Sequence, residues 1–190
     1  NVHLGGQVTW HNGAFVEYAF EPRGEVISTP FTIFPGVTIP IGSYAWNQHL
    51  VIFASDHSRA FSGSIRATVG DFWSGTQRTA QVSVLFRPTY RLVFDLGTQV
   101  SDIDLTLPAA SFRTTVASLR TGYSFSNSMF LDSLLQYRTD VHQFSANVRF
   151  NLIHRPLSDF FIVYNESQFA SIDQAPGRGL VVKYTHMLAF

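Results

Sequence analysis

Phe144-Ser145-Ala146-Asn147-Val148-Arg149-Phe150-Asn151-Leu152-Ile153 alternates apolar and polar residues for ten positions. Successive side chains of an extended chain point to opposite faces, so Phe144, Ala146, Val148, Phe150 and Leu152 share one side and Ser145, Asn147, Arg149 and Asn151 the other. Such a strand has one greasy face and one wet face. The last segment repeats the pattern, with Leu180, Val182, Tyr184, His186, Leu188 and Phe190 set against Lys183 and Thr185. Ala80, Val82, Val84 and Phe86 alternate with Thr79, Gln81, Ser83 and Arg87, and Ala117, Leu119, Thr121, Tyr123 and Phe125 with Ser118, Arg120, Gly122 and Ser124. Gly63, Ile65, Ala67 and Val69 against Ser62, Ser64, Arg66 and Thr68 is a weaker case.

No i, i+3, i+4, i+7 stripe is sustained anywhere, and β-branched, aromatic and Gly residues fill most windows. The fold is all-β. Breaking the alternating runs at turn residues predicts about eleven strands, near 2–10, 14–21, 44–55, 61–72, 76–87, 90–100, 112–125, 129–139, 143–153, 160–166 and 179–190. Several reach the roughly 9–11 residues that a tilted strand needs to cross a bilayer, beyond the usual five or six of globular sheets. His11-Asn12-Gly13, His57-Ser58-Arg59, Pro88-Thr89, Ser126-Asn127-Ser128 and His154 to Asp159 read as compact turns, with Asn-Gly a strong hairpin signal. Between them fall Pro22 to Ser43, Ser74-Gly75, Ser101 to Ser111, Asp140 to His142 and Ser167 to Arg178, a set that contains the three longest connections. Short turns on one rim and longer loops on the other are the habit of outer-membrane barrels.

Composition narrows the classes. With 190 residues, 45% hydrophobic and only 14% charged, the chain is too apolar for disorder and long enough for one domain, 1–190, with its own core. Thirteen basic against thirteen acidic residues leave no excess to draw in phosphate, so no nucleic-acid partner is expected. With no Cys, disulfide and zinc-thiolate chemistry are absent. Lys183 is the only Lys among the basic residues, an odd choice for an ordinary wet surface. No apolar run approaches the 18–20 residues of a membrane helix. The sequence opens at Asn1 without a charged and apolar leader, so an export signal is expected to have been removed or to precede it.

A greasy face opposite a wet one fits two solvents. A soluble sandwich turns the greasy face inward; a membrane barrel turns it to lipid and lines its lumen with the polar face. Three features favour lipid. Aromatic residues gather near predicted strand ends, among them Trp10, Tyr18, Trp46, Phe72, Trp73, Phe86, Tyr90, Tyr123, Phe125, Tyr137 and Tyr184, as in interfacial girdles. Arg66, Arg120, Arg149 and Lys183 fall mid-strand on the polar face, where a lumen accepts them. The chain also ends on an aromatic residue that continues the greasy row.

That ending, Tyr184-Thr185-His186-Met187-Leu188-Ala189-Phe190, resembles the C-terminal assembly signal of bacterial outer-membrane barrels, with Tyr184, His186, Leu188 and Phe190 at the alternate positions. Upstream, Ser133 to Tyr137, Asn147 to Phe150, Arg155 to Glu166 and Leu180 to Thr185 resemble the C-terminal barrel of the family catalogued as domain of unknown function 5916. Pro35 to Pro40, Gly42-Ser43-Tyr44 and Ser58-Arg59 are similar to it too, so the resemblance runs from about residue 25 to the end. It implies an antiparallel transmembrane β-barrel, and family members usually carry a module similar to family 9 carbohydrate-binding modules ahead of it. Nothing like that module is present in these residues. Bacterial single-chain barrels normally have an even number of strands, and about eleven here imply the C-terminal part of a larger barrel.

Candidate chemistry is sparse. His3, His11, His49, His57, His142, His154 and His186 form no HExxH or HxH pattern, and most fall at turns or strand ends. Asp102-Ile103-Asp104 and Asp56-His57 lack the surroundings of a calcium loop, and no GxSxG elbow marks a nucleophile. No enzyme, metal or cofactor is expected. The constellation of interest is a lumen-facing polar row of Arg66, Arg87, Arg91, Asp95, Arg120, Arg149 and Lys183, with Glu17 and Gln81 facing it. It either biases a pore toward anions or, the reading favoured on sequence, fills the lumen as an internal network of ion pairs and hydrogen bonds. Glu25 to Ser43 and Asp102 to Ala110, rich in Pro and apolar residues, are expected to be loops that fold inward or pack on a partner.

The expectation is therefore an integral outer-membrane barrel of a Gram-negative-type envelope, acting as a passive conduit or membrane scaffold for an unidentified substrate. Its expected partners are the outer-membrane bilayer, the barrel-assembly machinery, and further subunits or an N-terminal portion of the same protein. A membrane anchor for a surface carbohydrate-binding or carbohydrate-processing assembly is the alternative, and a soluble β-sandwich the third.

Overall fold

The computed structural model describes residues 2–106, 108–169 and 177–187. Thirteen strands make up nearly all of it: β1 (Leu4–Thr9), β2 (Phe15–Ile27), β3 (Phe31–Phe34), β4 (Val37–Ile39), β5 (Gly42–Ala54), β6 (Phe61–Phe72), β7 (Gly75–Thr89), β8 (Leu92–Thr106), β9 (Ala109–Ser126), β10 (Met129–Arg138), β11 (Gln143–Arg155), β12 (Ser158–Phe169) and β13 (Gly177–Tyr184). Eleven form one sheet in the order β1-β2-β5-β6-β7-β8-β9-β10-β11-β12-β13, and β3 and β4 pair as a separate hairpin. The sheet is a meander in which every strand adjoins its sequence neighbours, apart from the excursion between β2 and β5. β1 and β13 end the order, with one neighbour each.

Each of the eleven predicted strands overlaps one of these eleven; most run longer at one or both ends, β6 keeps its predicted bounds, and β1 and β10 are shorter. At the β1–β2 connection, the Asn12-Gly13 turn places Gly13 at φ 82°, a conformation that glycine adopts without steric cost. Two expected loops need correcting. Ser101 to Ser111 is almost wholly strand: β8 continues to Thr106 and β9 begins at Ala109. Its residues alternate Asp102-Ile103-Asp104-Leu105, and the turn-forming look of two aspartates hid a period of two. Pro22 to Ser43 is partly strand as well, since β2 runs to Ile27, β5 starts at Gly42, and Pro30 and Pro40 flank the β3–β4 hairpin. Pro35-Gly36 makes its turn, with Gly36 at φ 80° as the second central position of a type II turn requires.

The chain divides into two compact units, residues 1–58, 62–83 and 98–115, and residues 59–61, 84–97 and 116–190. Among the described residues, the first holds the large buried cluster. Ile27, Val37, Ile39, Ile103 and Leu105 are its centre, with Ile33, Phe34, Tyr44, Phe72, Trp73, Ala110 and Phe112 packed against them. Ile39 is wholly buried. Phe34 stacks on Phe112 at 4.3 Å between ring centroids, and the Tyr44 hydroxyl donates to the Pro40 carbonyl at 3.0 Å. Thus the hairpin docks on the ends of β2, β5, β8 and β9 and covers the sheet there.

Candidate functional site

Register and side-chain contacts assign the two faces in each unit. In the first, Glu17 pairs with Ile52 and Ile52 with Arg66, so these three share a face with Ala19, Leu50, Gln48 and Thr68. The Ser64–Ser83 hydroxyl contact of 2.8 Å and the Thr79–Ser101 contact of 3.0 Å carry that face across β7 to β8. Gln77 donates to Thr79 at 2.8 Å and Gln48 to Gln77 at 3.3 Å. Neutral amides and hydroxyls thus satisfy one another across the strands. Ile103 and Leu105 continue this polar face along β8, and there the hairpin covers them, which explains why β8 turns apolar at its end.

In the second unit the register places Gly122, Asp132, Arg149, Val163 and Val181 in one cross-strand row. Asn151, Phe161 and Lys183 form the next row, and Arg120, Leu134, Asn147, Asn165 and Gly179 another on the same face. The Arg149 guanidinium lies 4.7 Å from the Phe161 ring centroid, a cation–π contact. Asn147, Arg149, Phe161, Val163, Val181 and Lys183 enclose a concavity of about 420 Å³. Arg120 and Arg149 lie mid-strand on this polar side, and Lys183 lies on it one residue from the end of β13. Asp95 joins them: a Cβ on Gly97, two residues along, would meet the Ser118 hydroxyl at 2.9 Å. Arg91 is displaced from the row. It sits in the turn between β7 and β8, its guanidinium 5.1 Å from the Tyr90 ring centroid. Arg87, near the end of β7, lines a hollow of about 380 Å³ with Arg91, Gly122, Ser124 and Asp132.

The ion-pair network falls on other residues. Among the described residues Arg66, Arg120, Arg149 and Lys183 make no ion pair, although Asp132 is directly opposite Arg149 in the register. Three pairs gather instead on the polar side of β1 and β2, and Arg138 reaches Asp140 at 2.6 Å at the end of β10. His3 reaches Glu17 at 3.2 Å and Glu21 at 3.0 Å, and Arg23 donates to Glu21. The sequence placed Glu17 on the polar face, but Arg23 lay in a predicted connection and the approach of His3 depends on the β1–β2 register.

The opposite face is apolar and open. In the first unit it carries Val16, Tyr18 and Phe20, then Val51 and Phe53, then Ile65, Ala67 and Val69, then Ala80, Val82 and Val100. In the second it carries Phe86, Phe94 and Leu96, then Leu119, Tyr123 and Phe125, Leu131 and Leu135, Phe144, Val148 and Phe150, Phe160 and Ile162, and Leu180 and Val182. Phe53 is 44% exposed, Leu96 55% and Leu180 66%. Phe144, Val148 and Phe150 belong to no buried core, and Arg66, Arg120 and Arg149 are exposed on their own side.

Aromatics cluster near the strand ends of this face, Phe61 beside Phe86 and Phe86 beside Phe94, and Tyr123 against Phe125. At the end of the second unit Tyr184 stacks on His154 at 5.3 Å, and its hydroxyl lies 3.2 Å from His154 Nε2 and 3.3 Å from His186 Nδ1. Of the residues expected to form an assembly signal, Tyr184 and His186 are placed there; Leu188 and Phe190 lie outside the described residues. Among the described residues, ion pairs on this face occur only beyond the apolar stretch. Arg113 makes a two-pronged contact to Asp102 at 2.5 and 2.9 Å, and Arg178 reaches Glu166 at 3.0 Å. The Arg113 hydrogen bonds hold the Asp102 carboxyl below its ordinary range.

Comparison of the chain with family models, with curated proteins and with solved structures finds no match to any of them.

Proposed function

We propose that this chain is part of the wall of an integral outer-membrane β-barrel that serves as a passive conduit and membrane scaffold, its apolar face toward lipid and its polar face toward an enclosed interior. One observation carries the reading. The apolar side chains named above form, in each unit, an exposed face that Asp, Glu, Lys and Arg leave untouched until its margins. Soluble monomers rarely expose contiguous apolar area beyond a few hundred Å². Hydrocarbon is the solvent that such a face fits, and Phe144 to Leu152 supplies nine residues of it, the reach of a membrane-crossing strand.

The polar face supports the conduit. Among the described residues Arg120, Arg149 and Lys183 make no ion pairs there, and fixed cations raise the local anion concentration, so the passage favours anions. The hairpin folded over one end of that face narrows the way through. Further strands, from the same protein or a partner subunit, continue the wall from the edges of β1 and β13. The assembly machinery reads the terminal segment that includes Tyr184 and His186.

Paired substitutions test the proposal. Val148→Arg places a charge on the lipid side at a cost of about 2–4 kcal/mol at the midplane and blocks membrane assembly. Arg149→Ser, one residue on, assembles normally and weakens anion preference in planar-bilayer recordings. Equal loss of assembly from both, measured by extraction of the membrane fraction, would overturn the assignment.

A further inference from the structure

The apolar face of the first unit stops at a sharp line. Along β6 Val69 is followed two residues later by Asp71, along β7 Ala80 is preceded by Arg78, and along β8 Val100 is followed by Asp102. Just past that line, on the same side of the sheet, Thr76, Arg78, Asp102, Asp104, Ser111 and Arg113 line a groove of about 420 Å³.

Its charges are not all satisfied. Asp102 and Arg113 are locked in their two-pronged pair, whereas Arg78 and Asp104 are exposed and make no ion pair among the described residues. The Arg78 guanidinium, whose charge also reaches Asp102, and the Asp104 carboxylate therefore share a polar recess at the edge of the apolar face. Thr76 and Ser111 add hydroxyls beside them.

We infer that this groove binds the headgroup of an amine-bearing phospholipid, with the phosphate on Arg78 and the ammonium on Asp104. An arginine fork matches phosphate oxygens in geometry and charge. A primary ammonium offers three donors to the carboxylate, which a quaternary amine lacks. The acyl chains continue onto Ala80, Val82 and Val100. An anionic headgroup without an amine would leave Asp104 unpaired and beside a like charge, so the groove selects against it. The inference rests on the membrane reading and adds a lipid class to it.

The test uses the full chain reconstituted in phosphatidylcholine vesicles doped with either phosphatidylethanolamine or phosphatidylglycerol. Thermal unfolding and the lipids retained in native mass spectrometry are read together. Phosphatidylethanolamine raises the unfolding temperature and is retained preferentially; phosphatidylglycerol does neither, and soluble glycerophosphoethanolamine has no effect. Arg78→Ala and Asp104→Ala each remove the difference, while Arg59→Ala, in a turn outside the groove, preserves it. Insertion into all vesicles with no lipid preference, or a preference that survives both groove variants, overturns the lipid site and leaves the barrel standing. Stabilisation by soluble glycerophosphoethanolamine alone also overturns it. A wild-type chain that enters no vesicle overturns the membrane reading itself.

Discussion

Gly75 shows how closely the strands approach at the hairpin end of the sheet. A Cβ at that position would stand 1.8 Å from the Asp104 carbonyl oxygen and 2.7 Å from the Leu105 Cα, so backbone must move to admit even alanine. Gly75→Ala is expected to lose about 1–3 kcal/mol, in the range of other overpacked sites, with the β7–β8 pairing loosened nearby. Urea unfolding of the variant in detergent checks this, and a midpoint equal to wild type would show that the strands have room to part. Residue-level reading from sequence succeeded where alternation alone decides: Arg149 against Val148, and Lys183 against Val182. It failed where partner choice decides. Nothing in the spacing of Glu17, Glu21 and Arg23 announces His3, because the β1–β2 pairing brings His3 to them. Trp73, expected among the girdle aromatics, packs against the hairpin cluster instead. It holds φ 47° in the turn after β6, its ring between Phe31 at 5.3 Å and Phe72 at 4.3 Å, and its indole N–H donates to Glu25.

The β3–β4 hairpin is the element whose role the sequence obscured most. Pro, Gly and apolar residues over Glu25 to Ser43 suggested an irregular loop, and of the two outcomes expected for it the structure shows folding onto the sheet. Short strands bracketed by Pro30 and Pro40 give little periodic signal, and their apolar side chains have meaning only against Ile103 and Leu105 on distant β8. Ile39→Ala empties a wholly buried site and should cost about 2–5 kcal/mol of hairpin docking. Increased protease cleavage between β2 and β5 would report the loss. Replacing residues 30–40 by a short Gly-Ser link leaves the eleven-stranded sheet intact, since each sheet strand keeps its neighbours, and raises single-channel conductance. Unchanged conductance would show that the hairpin does not narrow the passage.

At the scale of the whole molecule the strand count and order were largely legible, because a meander of long alternating strands joined by short turns leaves few other topologies. What covers each face was not legible, since the same alternation serves a sandwich and a membrane wall. Exposure of Phe53, Leu96 and Leu180 supplies the missing argument, and lipid is the proposed cover. The absence of native Cys makes the deciding measurement direct, because single cysteines can be introduced one at a time without background labelling. Spin labels placed successively from residue 144 to 152 in vesicle-reconstituted protein should alternate with a period of two. Positions 144, 146, 148, 150 and 152 meet oxygen dissolved in the hydrocarbon, and positions 145, 147, 149 and 151 meet a water-soluble nickel chelate. Alternation in that sense is the predicted result; uniform accessibility to the aqueous reagent at both sets would contradict the placement of this face in lipid.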